Sequence, residues 1–163
     1  MLEAPVTDVA DAIRSGGIAE VKARRIQAIL GEVKRREGSL DLSRLARLSD
    51  DQATEYLCSL PGVGPKTAAC VLAFSLGRRA FPVDTHVYRV STRLGLIDSK
   101  STAEQAHRSL AELIPPEIRY EFHVRLVRHG REVCKPAAPL CSECVLFDLC
   151  EAGRRLLASG DAH

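Results

Sequence analysis

The sequence lacks the features of membrane and secreted proteins. None of its 163 residues lie in an apolar run as long as a membrane span, and no basic segment followed by an apolar one opens the chain as a secretory signal would. Its formal charge is only +2, because 21 acidic residues nearly offset 23 basic ones. Net charge therefore gives no argument for nucleic-acid binding. We expect a soluble cytoplasmic protein that binds its ligand through locally placed residues.

Strand patterns, internal repeats and low-complexity linkers are also absent. No segment alternates apolar and polar residues as a half-buried strand does. Helical periodicity is present instead, for example between residues 20 and 36, where Ile26, Ile29, Leu30 and Val33 recur on one face. With 45% hydrophobic residues the chain can form a core. The sequence therefore predicts an all-α fold.

Two short patterns predict where helices begin. Ser49 with Gln52, and again Ser101 with Glu104, have the spacing of a capping box, in which each side chain accepts or donates across the first helical turn. We expect a helix after each of them.

The stretch from Leu60 to Lys66, LPGVGPK, separates two helical patterns. Gly62 and Gly64 are expected to supply the positive φ angles of a tight turn. The backbone N–H groups of Val63, Gly64 and the residues after them would then be unpaired at a helix N-terminus, where a phosphate is the natural ligand. Because neither glycine has a Cβ, a nucleic-acid backbone could approach closely and be bound without base readout.

A lysine and an aspartate stand at two predicted helix starts. Lys66 lies in the first turn of a helix that we expect to run to Leu76 and to bury Phe74. Eighteen residues later, Asp84 occupies a predicted N-cap position. The amine and the carboxylate could face one cleft. Taken alone, the glycine turn and Lys66 also have ordinary structural explanations, since glycine turns are common and a first-turn lysine is usually a solvated charge.

Four of the six cysteines lie close together near the end of the chain: Cys134, Cys141, Cys144 and Cys150. Without a secretory signal, this clustering favours a metal site over disulfides. Four thiolates can hold either zinc or an iron–sulfur cluster, and their spacing alone does not distinguish the two.

The runs LPGVGPKTA and VDTHVYRV together resemble the helix-hairpin-helix DNA glycosylases, and the endonuclease III branch in particular. The resemblance implies a glycosylase-type helical domain, a partial barrel carrying the hairpin, over residues 1–80. A helical domain with an iron–sulfur cluster loop would follow over residues 81–163. In that family the hairpin lysine is the nucleophile and the aspartate of the VDTH run assists it, which implies catalytic roles for Lys66 and Asp84.

The resemblance also implies the remaining site residues. The cysteine spacing of six, two and five intervening residues matches the endonuclease III pattern, in which it holds a [4Fe–4S] cluster. Lys135 would face the DNA backbone, and Ile18 would be the apolar wedge that enters the duplex beside the flipped base. The hairpin contacts would come from Gly62, Val63, Gly64 and Lys66.

Apart from the resemblance, Arg89 and Arg93 are spaced four residues apart on one predicted helix, and we expect them to reach phosphates, although surface arginines need no such role. Arg125, Arg128 and His129 are expected to be available to DNA or solvent.

The function implied is that of a monomeric base-excision-repair glycosylase with AP lyase activity on double-stranded DNA, with an oxidised pyrimidine as its lesion. The alternatives are a monofunctional mismatch or adenine glycosylase, which does not need Lys66, a DNA-binding module without the reactive pair, and a zinc-binding adaptor. In family members an S-x-Q-x-x-D-type run supplies a glutamine that fills the gap left by the flipped base. That run lies in helices that precede the matching part of the family, and no counterpart of it is found in this chain. The resemblance therefore implies a chain that is N-terminally short relative to the family.

Overall fold

The computed structural model describes residues 1–163, and every regular element in it is helical. The eight α-helices are α1 (Val6–Ala12), α2 (Ala19–Glu37), α3 (Asp50–Cys58), α4 (Pro65–Cys70), α5 (Thr85–Arg93), α6 (Ala103–Leu113), α7 (Arg119–Glu132) and α8 (Glu151–Ser159). Short 3₁₀ turns lie at Arg14–Gly16, Ser43–Arg47, Cys141–Glu143 and Phe147–Leu149. The all-α prediction is confirmed, although α8 was not anticipated. None of these helices is both long and apolar enough to cross a membrane.

The chain divides into two compact units, Met1–Ala68 and Ala69–His163. The first contains α1 to α3, the second contains α5 to α8, and the chain passes from one to the other within α4. These two units are defined by how the chain packs, and they do not test the predicted division by function. The functional domain boundary at residue 80 stays a prediction.

In the first unit, α1 packs along α2, and Val9 of α1 and Ala23 of α2 are both buried. Helix α2 is long, at 19 residues, and ends where Gly38 adopts a φ of +74°. In that left-handed conformation the Gly38 N–H donates to the carbonyl of Lys34 at 2.9 Å, which satisfies one of the last free carbonyls of the helix.

The two predicted capping boxes have different outcomes. The pair Ser49 and Gln52 forms both reciprocal hydrogen bonds at the start of α3, so this prediction is confirmed. At α6 the box is formed by Thr102 and Gln105, one residue after the predicted pair. The reason is that the Ser101 N–H already donates to the carbonyl of Asp98 at 3.0 Å in the preceding turn. The helix therefore begins only after Thr102.

The second unit is built around the packing of α5 on α7. Gly130 on α7 makes this close approach possible, because a Cβ there would lie 2.9 Å from the Cβ of His86 on α5. The core formed around this contact contains Phe81, Val87, Val90, Leu110 and Leu126.

The hairpin's second helix runs to Ser75, close to its predicted end at Leu76, but the prediction that it buries Phe74 is wrong. Its α-helical part, α4, ends at Cys70 and is followed by one π-helical turn, Val71–Ser75, in which the Leu76 N–H donates to the carbonyl five residues back at 3.1 Å. A wider turn rotates the side chains that follow away from the helical register. Phe74 is consequently 49% exposed, and its ring lies edge-on to Tyr120 at a centroid distance of 5.7 Å.

Candidate functional site

The loop between α3 and α4 begins with a β-turn of the type II pattern. The Val63 N–H donates to the carbonyl of Leu60 at 3.1 Å, with Pro61 and Gly62 at the two central positions. This turn type favours proline first and needs a positive φ second, and Gly62 has a φ of +73°. The prediction that Gly64 also has a positive φ is wrong, because a single turn of this type needs only one such residue.

Several backbone amides after this turn are open. The first backbone bond into α4 runs from the Ala68 N–H to the carbonyl of Gly64 at 3.0 Å, and the N–H groups of Gly64, Lys66 and Thr67 have no acceptor within the protein. Such orphan donors are normal at a helix N-terminus and attract anions. The Val63 amide, which we expected to be unpaired, is used to close the turn instead.

The space around the two glycines differs. No atom lies within 4 Å of the position that a Cβ on Gly64 would occupy, so a ligand backbone can approach there as expected. The corresponding position at Gly62 lies 3.3 Å from Cδ of Arg25. At Gly62 the missing side chain therefore makes room for another residue of the protein. Lys66 is exposed beside these groups.

Ile18 lies at the tip of the turn that precedes α2. It is 74% exposed and has a φ of +50°, while Gly17 before it has a φ of +67°. The ammonium group of Lys22 donates to the carbonyl of Gly16 and closes this turn. A left-handed conformation costs a β-branched residue about 1–2 kcal/mol. Packing does not explain why an isoleucine is held exposed in it.

Asp84 caps α5, which confirms its predicted N-cap position. Its Oδ1 accepts hydrogen bonds from the N–H groups of His86 at 2.9 Å and Val87 at 2.8 Å, so the second carboxylate oxygen remains available. Asp84 belongs to the second unit, whereas Lys66 belongs to the first. That the two side chains face one cleft stays a prediction.

The four cysteines of the tail line one cavity in the second unit: Cys134, Cys141, Cys144 and Cys150. Burial, followed by the proximity of the other three cysteines, raises the pKa of the Cys141 thiol. No three metal-binding side chains converge closely enough to hold a single metal ion. Four thiol sulfurs around one cavity are a donor set that fits either zinc or an iron–sulfur cluster.

The expectation that Arg89 and Arg93 reach phosphates is wrong, because their donors are used within the second unit. Arg89 donates to the carbonyls of Cys134 at 3.0 Å and Gly130 at 2.6 Å. Arg93 donates to the carbonyls of Lys135 at 2.7 Å and Pro136 at 3.0 Å, and its guanidinium also lies 3.3 Å from Sγ of Cys134. Both arginines thereby satisfy carbonyls at the end of α7 and in the loop after it.

His129 also belongs to the cysteine cavity. Its Nε2 lies 3.7 Å from Sγ of Cys144, and burial lowers the pKa of its imidazole. The His129 side chain is half-buried, so it is less available to DNA or solvent than expected. Lys135 is exposed at the start of the loop, as its predicted role in DNA binding requires. The spacing of Arg89 and Arg93 correctly indicated that both lie on one face of α5, but sequence reasoning missed that this face binds the loop after α7.

Comparison with known proteins identifies the family. Residues 1–116 match the family described as HhH-GPD superfamily base excision DNA repair protein. The chain belongs to this superfamily. It is 37% identical over 155 residues to Endonuclease III of Thermotoga maritima, an alignment that covers 95% of the chain and 68% of that relative. It is 35% identical over 149 residues to the Putative DNA glycosylase At3g47830 of Arabidopsis thaliana, covering 87% of the chain but only 51% of that relative.

Solved structures place this HhH-GPD chain in the endonuclease III-like part of the superfamily. A non-covalent Endonuclease III–DNA complex superposes with a TM-score of 0.79 at 33% identity, over 96% of this chain and 69% of that one. A thermostable thymine-DNA glycosylase shares the fold, with a TM-score of 0.72 at 22% identity. The predicted glycosylase-type helical fold is confirmed. The family match ends before the four cysteines, so their role stays a prediction.

Proposed function

We propose that this HhH-GPD protein is a base-excision-repair DNA glycosylase with AP lyase activity. It binds double-stranded DNA as a monomer, removes oxidised pyrimidines and cleaves the strand 3′ to the abasic site by β-elimination. The observation that carries the proposal is the position of Lys66, an exposed amine in the first turn of α4 among open backbone amides. The DNA glycosylase/AP lyase ROS1 of Arabidopsis thaliana is 32% identical over 90% of this chain, a match that covers 12% of that relative. A structural neighbour at 33% identity is a trapped Endonuclease III–DNA covalent intermediate.

The first step is binding of the sugar–phosphate backbone at the hairpin. The open N–H groups of Gly64, Lys66 and Thr67 supply donors to a phosphate, and the clear space at Gly64 admits it. The damaged nucleotide then rotates out of the stack, at a cost of a few kcal/mol. Ile18, exposed at the tip of its turn, would enter the duplex and replace part of the lost stacking.

The chemistry then proceeds through a covalent intermediate. The Lys66 amine, in its neutral form, attacks C1′ of the sugar, and the glycosidic bond breaks so that the base departs with the bonding electrons. The amine loses its proton, and opening of the sugar gives a Schiff base. Removal of a proton from C2′ then expels the 3′ phosphate. The carboxylate oxygen of Asp84 that does not cap α5 would stabilise positive charge at the sugar and carry protons.

We assign Cys134, Cys141, Cys144 and Cys150 as the ligands of a [4Fe–4S] cluster, because these thiols line one cavity and their spacing resembles that of the cluster cysteines of endonuclease III. A cluster with four protein ligands supplies cross-linking of the tail and electron transfer rather than glycosyl chemistry. Arg93 would donate toward the sulfur of Cys134, and the loop held by the two arginines would present Lys135 to the DNA backbone. Iron and sulfide content and a yellow-brown colour would support this assignment, whereas a colourless protein containing zinc would support the adaptor alternative.

Trapping with borohydride tests the catalytic proposal. Reduction of the Schiff base should link the wild-type protein covalently to duplex DNA with an abasic site, and Lys66→Ala should abolish the product. Lys34→Ala is the matched control, because it removes an exposed lysine of α2 far along the chain from the hairpin, and it should crosslink normally. A wild-type protein that binds this DNA but never crosslinks would instead be the DNA-binding module. Base release that persists in Lys66→Ala would indicate a monofunctional glycosylase.

A further inference from the structure

We propose that Arg25 is a second phosphate-binding group of the hairpin, holding the DNA backbone together with the open amides after Gly62. The proposal rests on the proposed function, because it requires that DNA binds at this hairpin. It assigns a DNA contact to α2, the helix that follows the Ile18 turn.

The first observation is where the Arg25 side chain runs. Its Cγ, Cδ and Nε lie 3.6, 3.3 and 3.5 Å from the position that a Cβ on Gly62 would occupy. The aliphatic stem therefore lies directly over the hairpin turn at the residue with a φ of +73°. A Cβ on residue 62 would make a tight contact and push the Arg25 side chain aside by about a few tenths of an ångström, so Gly62 both forms the turn and leaves room for Arg25.

The second observation is that the Arg25 guanidinium is unpaired. The neighbouring arginines of α2 have carboxylate partners: Arg24 pairs with Glu20 at 2.6 Å, while Arg35 and Arg36 both pair with Glu32. Arg25 is exposed and donates to no group of the protein. A cation with its full set of donors is thus held against the turn that precedes the open amides.

Arginine chemistry matches a phosphate in this position. The guanidinium presents a planar fork of N–H donors that can bind two phosphate oxygens at once. Because the stem already lies against Gly62, less conformational freedom is lost on binding than for a mobile surface arginine. The ligand class is the sugar–phosphate backbone, so the contact strengthens binding to all sequences without reading any of them.

The salt dependence of DNA binding tests this contact. Dissociation constants for duplex DNA with an abasic site would be measured over a range of salt concentrations for the wild type, Arg25→Gln and Arg24→Gln. Arg25→Gln and the control Arg24→Gln each remove one positive charge, at adjacent positions of α2. Comparing the two therefore separates loss of the phosphate contact from the change in net charge. Loss of a phosphate contact should reduce the slope of log K against log salt by about 0.9 in Arg25→Gln. Affinity should fall about tenfold, and Arg24→Gln should change neither quantity.

Further results separate this inference from the proposed function. Arg25→Lys, which keeps the charge but not the fork, should retain the slope while losing part of the affinity. Equal effects of Arg25→Gln and Arg24→Gln, or an unchanged slope in Arg25→Gln, would overturn the role of Arg25 while leaving borohydride trapping by the wild type intact. A wild-type protein that does not bind this DNA would overturn both. Unfolding midpoints should be the same in all variants, because both residues are exposed.

Discussion

Replacing Asp84 separates its structural role from its proposed chemical role. Its Oδ1 accepts two of the N–H groups that have no partner within α5, at 2.9 and 2.8 Å. Asp84→Ala removes both acceptors and should lower the free energy of unfolding by about 1–2 kcal/mol, as loss of an N-cap does. Asp84→Asn keeps an acceptor oxygen at the same place, and asparagine caps helices about as well as aspartate. Asp84→Asn should therefore lower the free energy of unfolding only by the lost interaction of the charge with the helix dipole, about 0.3–1 kcal/mol.

Urea and thermal unfolding, both followed by circular dichroism, measure the difference in stability between the two variants. For a chain of this length, each 1 kcal/mol corresponds to about 2–4 °C in Tm, so Asp84→Ala should melt about 2–8 °C lower than the wild type. Borohydride trapping and base release should fall strongly in both variants, since neither side chain can carry a negative charge or a proton. The cap explanation would be refuted if asparagine destabilised the protein as much as alanine does. Normal excision by Asp84→Asn would remove Asp84 from the chemistry.

Three further changes test the fold and the tail. Arg93→Gln should expose the loop of residues 134–140 to proteases, because three hydrogen-bonded contacts to that loop are lost, whereas the surface-pair variant Arg155→Gln should be cleaved like the wild type. Phe81→Ala should lower the free energy of unfolding by about 3–5 kcal/mol because Phe81 is a buried aromatic residue. Phe74→Ala should lower it clearly less, since Phe74 is 49% exposed. Equal losses in urea unfolding would contradict the exposed position of Phe74 in the π-helical turn. A hydrogen bond from Arg44 lowers the pKa of Glu37 from 4.5 to about 2, so the stability it adds is present above pH 4.5 and is lost as the pH falls through about 2. Glu37→Gln should flatten acid unfolding in that window, and an unchanged profile would contradict the ion pair.

Much of the site was predictable because it depends on residues close together in the chain. Pro61 and Gly62 specify their turn through the φ angles that each allows. The Ser49 box and the Asp84 cap follow from the reach of a short polar side chain across one helical turn. The same reasoning misplaced the start of α6 by one residue. The competing hydrogen bond of Ser101 belongs to the turn before it, which the capping pattern does not contain.

The remaining features depend on residues that the chain separates widely. Arg25 meets Gly62, and Arg93 reaches the carbonyl of Lys135 42 positions away, only because tertiary packing brings their helices and loops together. A surface arginine and one that binds a loop look identical in sequence. The amino-acid sequence by itself determined the family, the helical class, the turn at Pro61 and Gly62, and the caps of α3 and α5. The partners of the arginines, the exposure of Phe74 and Ile18 and the convergence of four thiols on one cavity were decided by tertiary structure, because each depends on which distant groups share the same space.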